Sequence, residues 1–222
     1  MAFEIELKAR LDNPEPVKQK LTSLGTWVHA YQKRDSYWLS PEKAIPPSGV
    51  RIRREMVDTA VGNAVDEGGI SSGSHETILI TYKIKEMRDG IEVNDEREFT
   101  VSSSPFGAGS PGGAGSPGRD GAAVFEDLLS RLGLTPGICK EKRGWAWTIP
   151  PQVATEPPVL AELSMVKNLG WFIELEILAE DSEEQTVARS RERLLSVLAD
   201  LGIAAEQIES RPYTQMLLTT IF

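Results

Sequence analysis

The sequence predicts a mainly-β α+β fold of eight strands with helices at its periphery. Three observations carry this expectation. Eight segments alternate with the period of a strand, three others keep helical spacing, and charged residues recur two apart in rows that are nearly single-signed. The 222 residues are 40% hydrophobic, enough for one substantial core but small for two full domains, so a single domain over 1–222 is expected.

Residues 3–11 alternate Phe3, Ile5 and Leu7 with Glu4, Glu6 and Lys8, the pattern of an opening strand. From Pro14 to Leu24 the spacing of Val17, Leu21 and Leu24 is helical, introduced by prolines and stopped by Gly25. Further strands are expected at 27–39, 49–55, 77–85, 91–101, 138–149, 159–165 and 171–179, several rich in β-branched and aromatic residues. Helical spacing returns at Phe125, Leu128, Leu129 and Leu132 before Gly133, and at Val187, Leu194, Leu198 and Leu201 before Gly202. Two polar stretches, 58–75 and the Gly/Ser/Pro tract 102–121, read as flexible insertions because neither carries enough apolar surface to offset ordering. No internal repeat of solenoid period is visible.

A formal net charge of −9 disfavours non-specific attraction to nucleic acid or an anionic membrane. Cys139 is the single cysteine, no apolar run approaches the ~20 residues that cross a bilayer, and Met1-Ala2-Phe3-Glu4 opens into charge alternation. A soluble, cytoplasmic protein is the expectation.

On a strand, residues two apart share a face. Glu4, Glu6 and Lys8 form one such row, Arg51 and Arg53 a second, Lys83 and Lys85 a third, Lys140 and Lys142 a fourth, Glu174 and Glu176 a fifth. Each row alone fits the solvated face of a half-buried strand. Together, basic rows on the middle strands and acidic rows on the first and last call for a neutralising ligand, since like charges on neighbouring strands repel. A polyphosphate with Mg²⁺ or Mn²⁺ satisfies both sets, with Arg and Lys on phosphate oxygens and carboxylates on the metal. Zinc is disfavoured, because His29 and His75 lack ligand spacing, and no Walker-type Gly-rich loop is present. If the charges face inward on a closed barrel, Phe3, Ile5 and Leu7 face outward, under the amphipathic helices.

The opening Glu4-Ile5-Glu6-Leu7-Lys8 resembles the ExExK signature of the CYTH family, the triphosphate tunnel metalloenzymes. The similarity continues through Gln32 to Tyr37, Arg51-Ile52-Arg53, Thr81-Tyr82-Lys83, Lys140-Glu141-Lys142, Leu169 to Glu176 and Tyr213 to Leu217. The resemblance implies an eight-stranded antiparallel tunnel barrel with the active site in its lumen. It implies metal ligation by Glu4, Glu6, Glu174 and Glu176, and phosphate binding by Lys8, Arg51, Arg53, Lys83, Lys85, Lys140 and Lys142, with Arg143 contributing if the register slips by one. Three departures are visible. Ser164 stands where the family has an aspartate, with Glu162 on the same face. Lys142 replaces an arginine, offering a point charge instead of a fork. Strand 96–101 fits only after a shift of one, which makes Glu98 a further candidate metal ligand.

The expected function is divalent-metal-dependent hydrolysis of inorganic triphosphate or another triphosphate-bearing small molecule, with Glu4, Glu6 and Lys8 as the catalytic candidates. A class IV adenylyl cyclase and a catalytically silent polyphosphate-binding module are the alternatives. Tyr37, Trp38, Trp145 and Trp147 are read as core and Asp35 as a turn or strand-pairing residue, so no base pocket is assigned. The expected partner is the triphosphate compound, with neither nucleic acid nor membrane. Closure would leave no strand edge exposed, so association would use helices or loops, and a homodimer stays open.

Overall fold

A computed structural model describes residues 3–40, 49–59, 75–103, 120–153 and 156–220, apart from the side chains of Lys85 and Thr220. Eight strands, β1 (Phe3–Leu11), β2 (Thr26–Leu39), β3 (Val50–Asp58), β4 (His75–Arg88), β5 (Ile91–Val101), β6 (Thr135–Ile149), β7 (Val159–Val166) and β8 (Gly170–Ala179), close into a barrel. The order around it is β1-β5-β4-β3-β2-β6-β7-β8, with every neighbouring pair antiparallel. The helices are α1 (Glu15–Leu24), α2 (Gly121–Arg131), α3 (Glu184–Asp200) and α4 (Tyr213–Thr220), with a 3-10 turn at Ala205–Gln207. None of them is long and apolar enough to cross a membrane.

The expected strands all form, and β3 and β4 run on to Asp58 and from His75, so they enter the margins of the first polar stretch. Residues 60–74 and 104–119, the bulk of both expected insertions, lie outside the described residues. The tight β4–β5 hairpin turns on Asp89 and Gly90, both at positive φ (49° and 82°), where Asp-Gly is the favoured pair. Gly144 is required by close strand approach, since a Cβ there would lie 2.1 Å from the Leu163 carbonyl oxygen on β7.

The barrel is polar inside and apolar outside. Ile5, Leu7, Ala9 and Leu11 of β1 and Ile173, Leu175 and Ile177 of β8 are buried in one core with Val17 and Leu21 of α1 and Leu194, Val197 and Leu198 of α3. Each Val, Leu or Ile of this set contributes roughly 1.5–3 kcal/mol on burial, so much of the hydrophobic stabilisation resides between the barrel and its outer helices. A second core joins Ala122 and Leu129 of α2 to Trp38, Ile52, Ile78 and Ile80. The short helix α4 was not expected from the sequence. Its Tyr213, Met216 and Leu217 pack on Val166, Leu169 and Phe172, closing one end of the lumen.

Candidate active site

The same alternation that sends the apolar residues outward turns charged and polar side chains inward at every second position of these stretches. β1 directs Glu4, Glu6 and Lys8 inward, β2 Lys33 and Asp35, β3 Arg51 and Arg53, and β4 Thr81 and Lys83. β5 adds Glu92, Asn94, Glu96 and Glu98, β6 Lys140 and Lys142, β7 Glu162 and Ser164, and β8 Glu174 and Glu176. They surround a cavity of about 330 Å³ lined by Lys8, Arg51, Arg53, Lys83 and Lys140, by Glu6, Glu92 and Glu174, and by Tyr37 and Tyr213.

The cations are held by a network of carboxylates. Fully buried Asp35 accepts two hydrogen bonds from Arg53, Nε to Oδ1 at 2.7 Å and Nη2 to Oδ2 at 3.0 Å, and pairs with Lys140 at 3.0 Å. Burial raises its pKa, but Arg53 and Lys140 outweigh that and hold the carboxyl well below its usual range. Glu162 bridges Lys33 at 2.5 Å and Lys142 at 2.8 Å, and those two cations likewise overcome burial and depress it. Lys142 also reaches Glu174 at 2.8 Å, and Glu174 accepts from the Tyr213 hydroxyl at 3.0 Å. The Tyr213 ring lies beneath Lys8 and Lys140, 4.7 and 5.0 Å from its centroid, a cation–π arrangement that fixes both ammonium groups. Arg51 contacts Thr81, Glu96 and Glu98 at 2.9, 2.8 and 3.3 Å.

The acidic side of the lumen is different in kind. Glu6 stands opposite Glu176 of β8 and Glu92 of β5, so three carboxylates lie in a row across adjacent strands. Burial pushes Glu176 up to about 8, and the neighbouring Glu4 and Glu6 add to the rise. Burial also raises Glu4, to about 7, although Lys83 at 2.6 Å works against it. Glu96, facing the same Lys83, moves the opposite way, because Lys83 and a hydrogen bond with Glu4 overcome its burial. Among the described residues the Glu6 and Glu176 side chains make no hydrogen bond or ion pair, and no three potential ligands already converge in metal-binding geometry. This donor set of crowded carboxylate oxygens fits a hard divalent cation.

The structure brings Glu4, Glu6, Lys8, Arg51, Arg53, Lys83, Lys140, Lys142, Glu174 and Glu176 into one lumen. The Lys85 side chain lies outside the described residues. Arg143 does not join them. It is exposed on the outer face of β6, because the β2–β6 register runs unbroken from Tyr31↔Gly144 to Ser36↔Cys139 and its irregularities lie elsewhere. Glu98 is inward but paired with Arg51 and Thr81, six residues or roughly 20 Å along β5 from Glu92. Glu174 lies within the ion-pair network.

Lys33, Glu92, Asn94 and Glu96 were not singled out from sequence as firm site residues, although their strand alternation carries the signal. Asp35 is a buried ion-pair anchor instead of a turn residue. Trp38 and Trp147 are buried in outer cores and Trp145 stacks on Trp171, whereas Tyr37 lines the cavity. His29 is half-buried and His75 exposed.

The comparisons agree with this architecture. PH1819 protein from Pyrococcus horikoshii OT3 superposes with a TM-score of 0.69 at 22% identity, covering 98% of this chain and 99% of that one. An adenylate cyclase candidate from Vibrio parahaemolyticus gives 0.65 at 17% identity, covering 97% and 98%. The adenylyl cyclase candidate HpAC1 from Hippeastrum, described as having a dominant triphosphatase activity, gives 0.53 at 11% identity, covering 100% and 96%. At these identities the likeness shows the fold. A comparison with curated proteins finds no match. The CYTH domain model matches residues 2–213, nearly the whole length, and the chain belongs to the CYTH domain family.

Proposed function

We propose that the protein is a divalent-metal-dependent triphosphatase that hydrolyses inorganic triphosphate, or a small molecule bearing one, inside the barrel. The observation that carries this reading is the division of one lumen into a cationic wall of Lys8, Arg51, Arg53, Lys83 and Lys140 and an acidic row of Glu176, Glu6 and Glu92. Five cations around a cavity of about 330 Å³ suit the dense charge of a triphosphate. The carboxylates opposite have no use for a bare anion and are suited to a cation bound with it.

Arg51 and Arg53 would grip phosphate oxygens through guanidinium forks, and Lys8, Lys83 and Lys140 would supply point charges. Mg²⁺ or Mn²⁺, held by Glu4, Glu6 and Glu176, supplies charge neutralisation at the phosphate oxygens when bound. A water held against the lumen carboxylates would give its proton to one of them that is not on the metal. The water so activated attacks the terminal phosphorus, the bridging P–O bond breaks, and triphosphate yields orthophosphate and pyrophosphate.

Hydrolysis is favoured over cyclisation by the modest cavity and by the placement of Trp38, Trp145 and Trp147 on outer surfaces; of the inward tyrosines, Tyr31 is buried beneath Lys33 and Lys142, and Tyr37 and Tyr213 line the cavity. The reading agrees with the triphosphatase activity described for HpAC1. Product analysis with tripolyphosphate and ATP, in Mg²⁺, Mn²⁺ or EDTA, tests it. Metal-dependent orthophosphate from tripolyphosphate is expected. Cyclic AMP with pyrophosphate from ATP would establish the cyclase instead, and tight tripolyphosphate binding without turnover a silent binding module.

A further inference from the structure

Asn94 of β5 is fully buried on the lumen side, and among the described residues neither its Oδ1 nor its Nδ2 has a hydrogen-bond partner. Leaving a buried amide unsatisfied costs roughly 1–3 kcal/mol, and among the buried side-chain atoms without a partner, which include the Tyr31 hydroxyl and Arg51 Nε, Asn94 has both its donor and its acceptor unmet. Its position is specific. Asn94 stands directly opposite Glu4, and one inward position along the same two strands Glu6 stands opposite Glu92. Side chains opposed on neighbouring strands are about 4.5–5.5 Å apart at Cβ and diagonal ones about 7–8 Å. Asn94 therefore borders the carboxylate row that Glu92 and Glu6 form with Glu176.

Glu174 has a different environment. Its Oε1 already takes Lys142 at 2.8 Å and the Tyr213 hydroxyl at 3.0 Å, with Ser164 at 3.4 Å.

We propose that Asn94 is a ligand of the lumen cation, giving a neutral hard oxygen through Oδ1 to a site whose carboxylates come from β8, β1 and β5, while Glu174 positions Lys142 and Tyr213. The assignment rests on the metal-dependent reading above and narrows it. An amide oxygen is a normal ligand for hard cations, and it adds a donor without adding to the repulsion among Glu4, Glu6, Glu92 and Glu176. The amide Nδ2 stays available as a donor to an oxygen bound alongside.

The test is a titration of the full-length protein with Mn²⁺ alone, following free Mn²⁺ by electron paramagnetic resonance, for wild type, Asn94→Leu, Asn94→Asp, Glu174→Gln and, as a reference for losing a carboxylate of the metal row, Glu176→Gln. Asn94→Leu keeps the side-chain volume and is expected to weaken Mn²⁺ binding at least about tenfold, the scale of losing a metal-site contact. Asn94→Asp is expected to bind as tightly as wild type or more so, and Glu174→Gln to change affinity less than about threefold relative to that scale. Unchanged affinity in Asn94→Leu, or a loss in Glu174→Gln as large as that in Glu176→Gln, overturns the assignment and leaves the metal-dependent reading intact. A wild-type protein that takes up no Mn²⁺ overturns both. Should Asn94→Leu fail to fold, Asn94→Asp decides, since weakened binding there also overturns the assignment.

Discussion

Asp35 illustrates how the lumen stores charge. It is wholly buried between Arg53 and Lys140, so Asp35→Asn leaves two cations without their counter-charge. Breaking such a pair costs about 3–5 kcal/mol, a fall in Tm on the order of 10 °C for a chain of this size. The pH dependence has a definite sign. The folded carboxyl lies well below the ordinary 3.8, so its contribution is complete above about pH 4 and is lost as pH falls toward the folded value. Thermal unfolding between pH 2 and 6 should show wild type losing stability steeply at the acid end, with Asp35→Asn lacking that part of the slope. Lys83 has a different role, since it lines the cavity between Glu4 and Glu96. Lys83→Met should weaken tripolyphosphate binding about tenfold, the value of a charge-assisted contact, with the far-UV circular dichroism unchanged.

At the scale of elements, β6, β7 and α4 govern the shape of the lumen. Gly144→Ala would drive a methyl into the Leu163 carbonyl and part β6 from β7, so it is expected to destabilise by about 3 kcal/mol or more, checked by chemical denaturation. Tyr213→Phe keeps the ring under Lys8 and Lys140 and removes only the hydrogen bond to Glu174, a loss of about 1 kcal/mol. Elements differ in how plainly the sequence announces them. β1 is legible because Phe3 to Lys8 alternates without exception, and α3 because Val187, Leu194, Leu198 and Leu201 keep one apolar face. α4 is not, because it spans eight residues and its apolar side chains answer to Phe172 and Val166, distant in sequence. The side of Arg143 is illegible for a related reason. Whether Lys142 or Arg143 faces inward depends on where β-bulges fall, and those at Trp27/His29 and Ser36/Trp38 follow from packing between strands that a single sequence does not display.

For the molecule as a whole, the inversion of polarity follows from one rule, alternation along strands, applied eight times. Rows such as Arg51/Arg53 and Glu174/Glu176 are legible in the sequence, and closure converts them into facing walls. The partnering within those walls was not visible, because a pair such as Lys33 with Glu162 or Lys83 with Glu4 joins residues far apart in the chain and is set by strand order and register. Triphosphate should stabilise the whole barrel by relieving repulsion among the lumen cations, raising Tm in a concentration-dependent way. The most direct measurement of the central claim is a crystal structure of the protein with tripolyphosphate and Mn²⁺, read with the anomalous signal of the metal. Phosphate density among Lys8, Arg51, Arg53, Lys83 and Lys140, with the metal peak against Glu6 and Glu176, is the predicted result, and phosphate and metal bound only outside the barrel would contradict it.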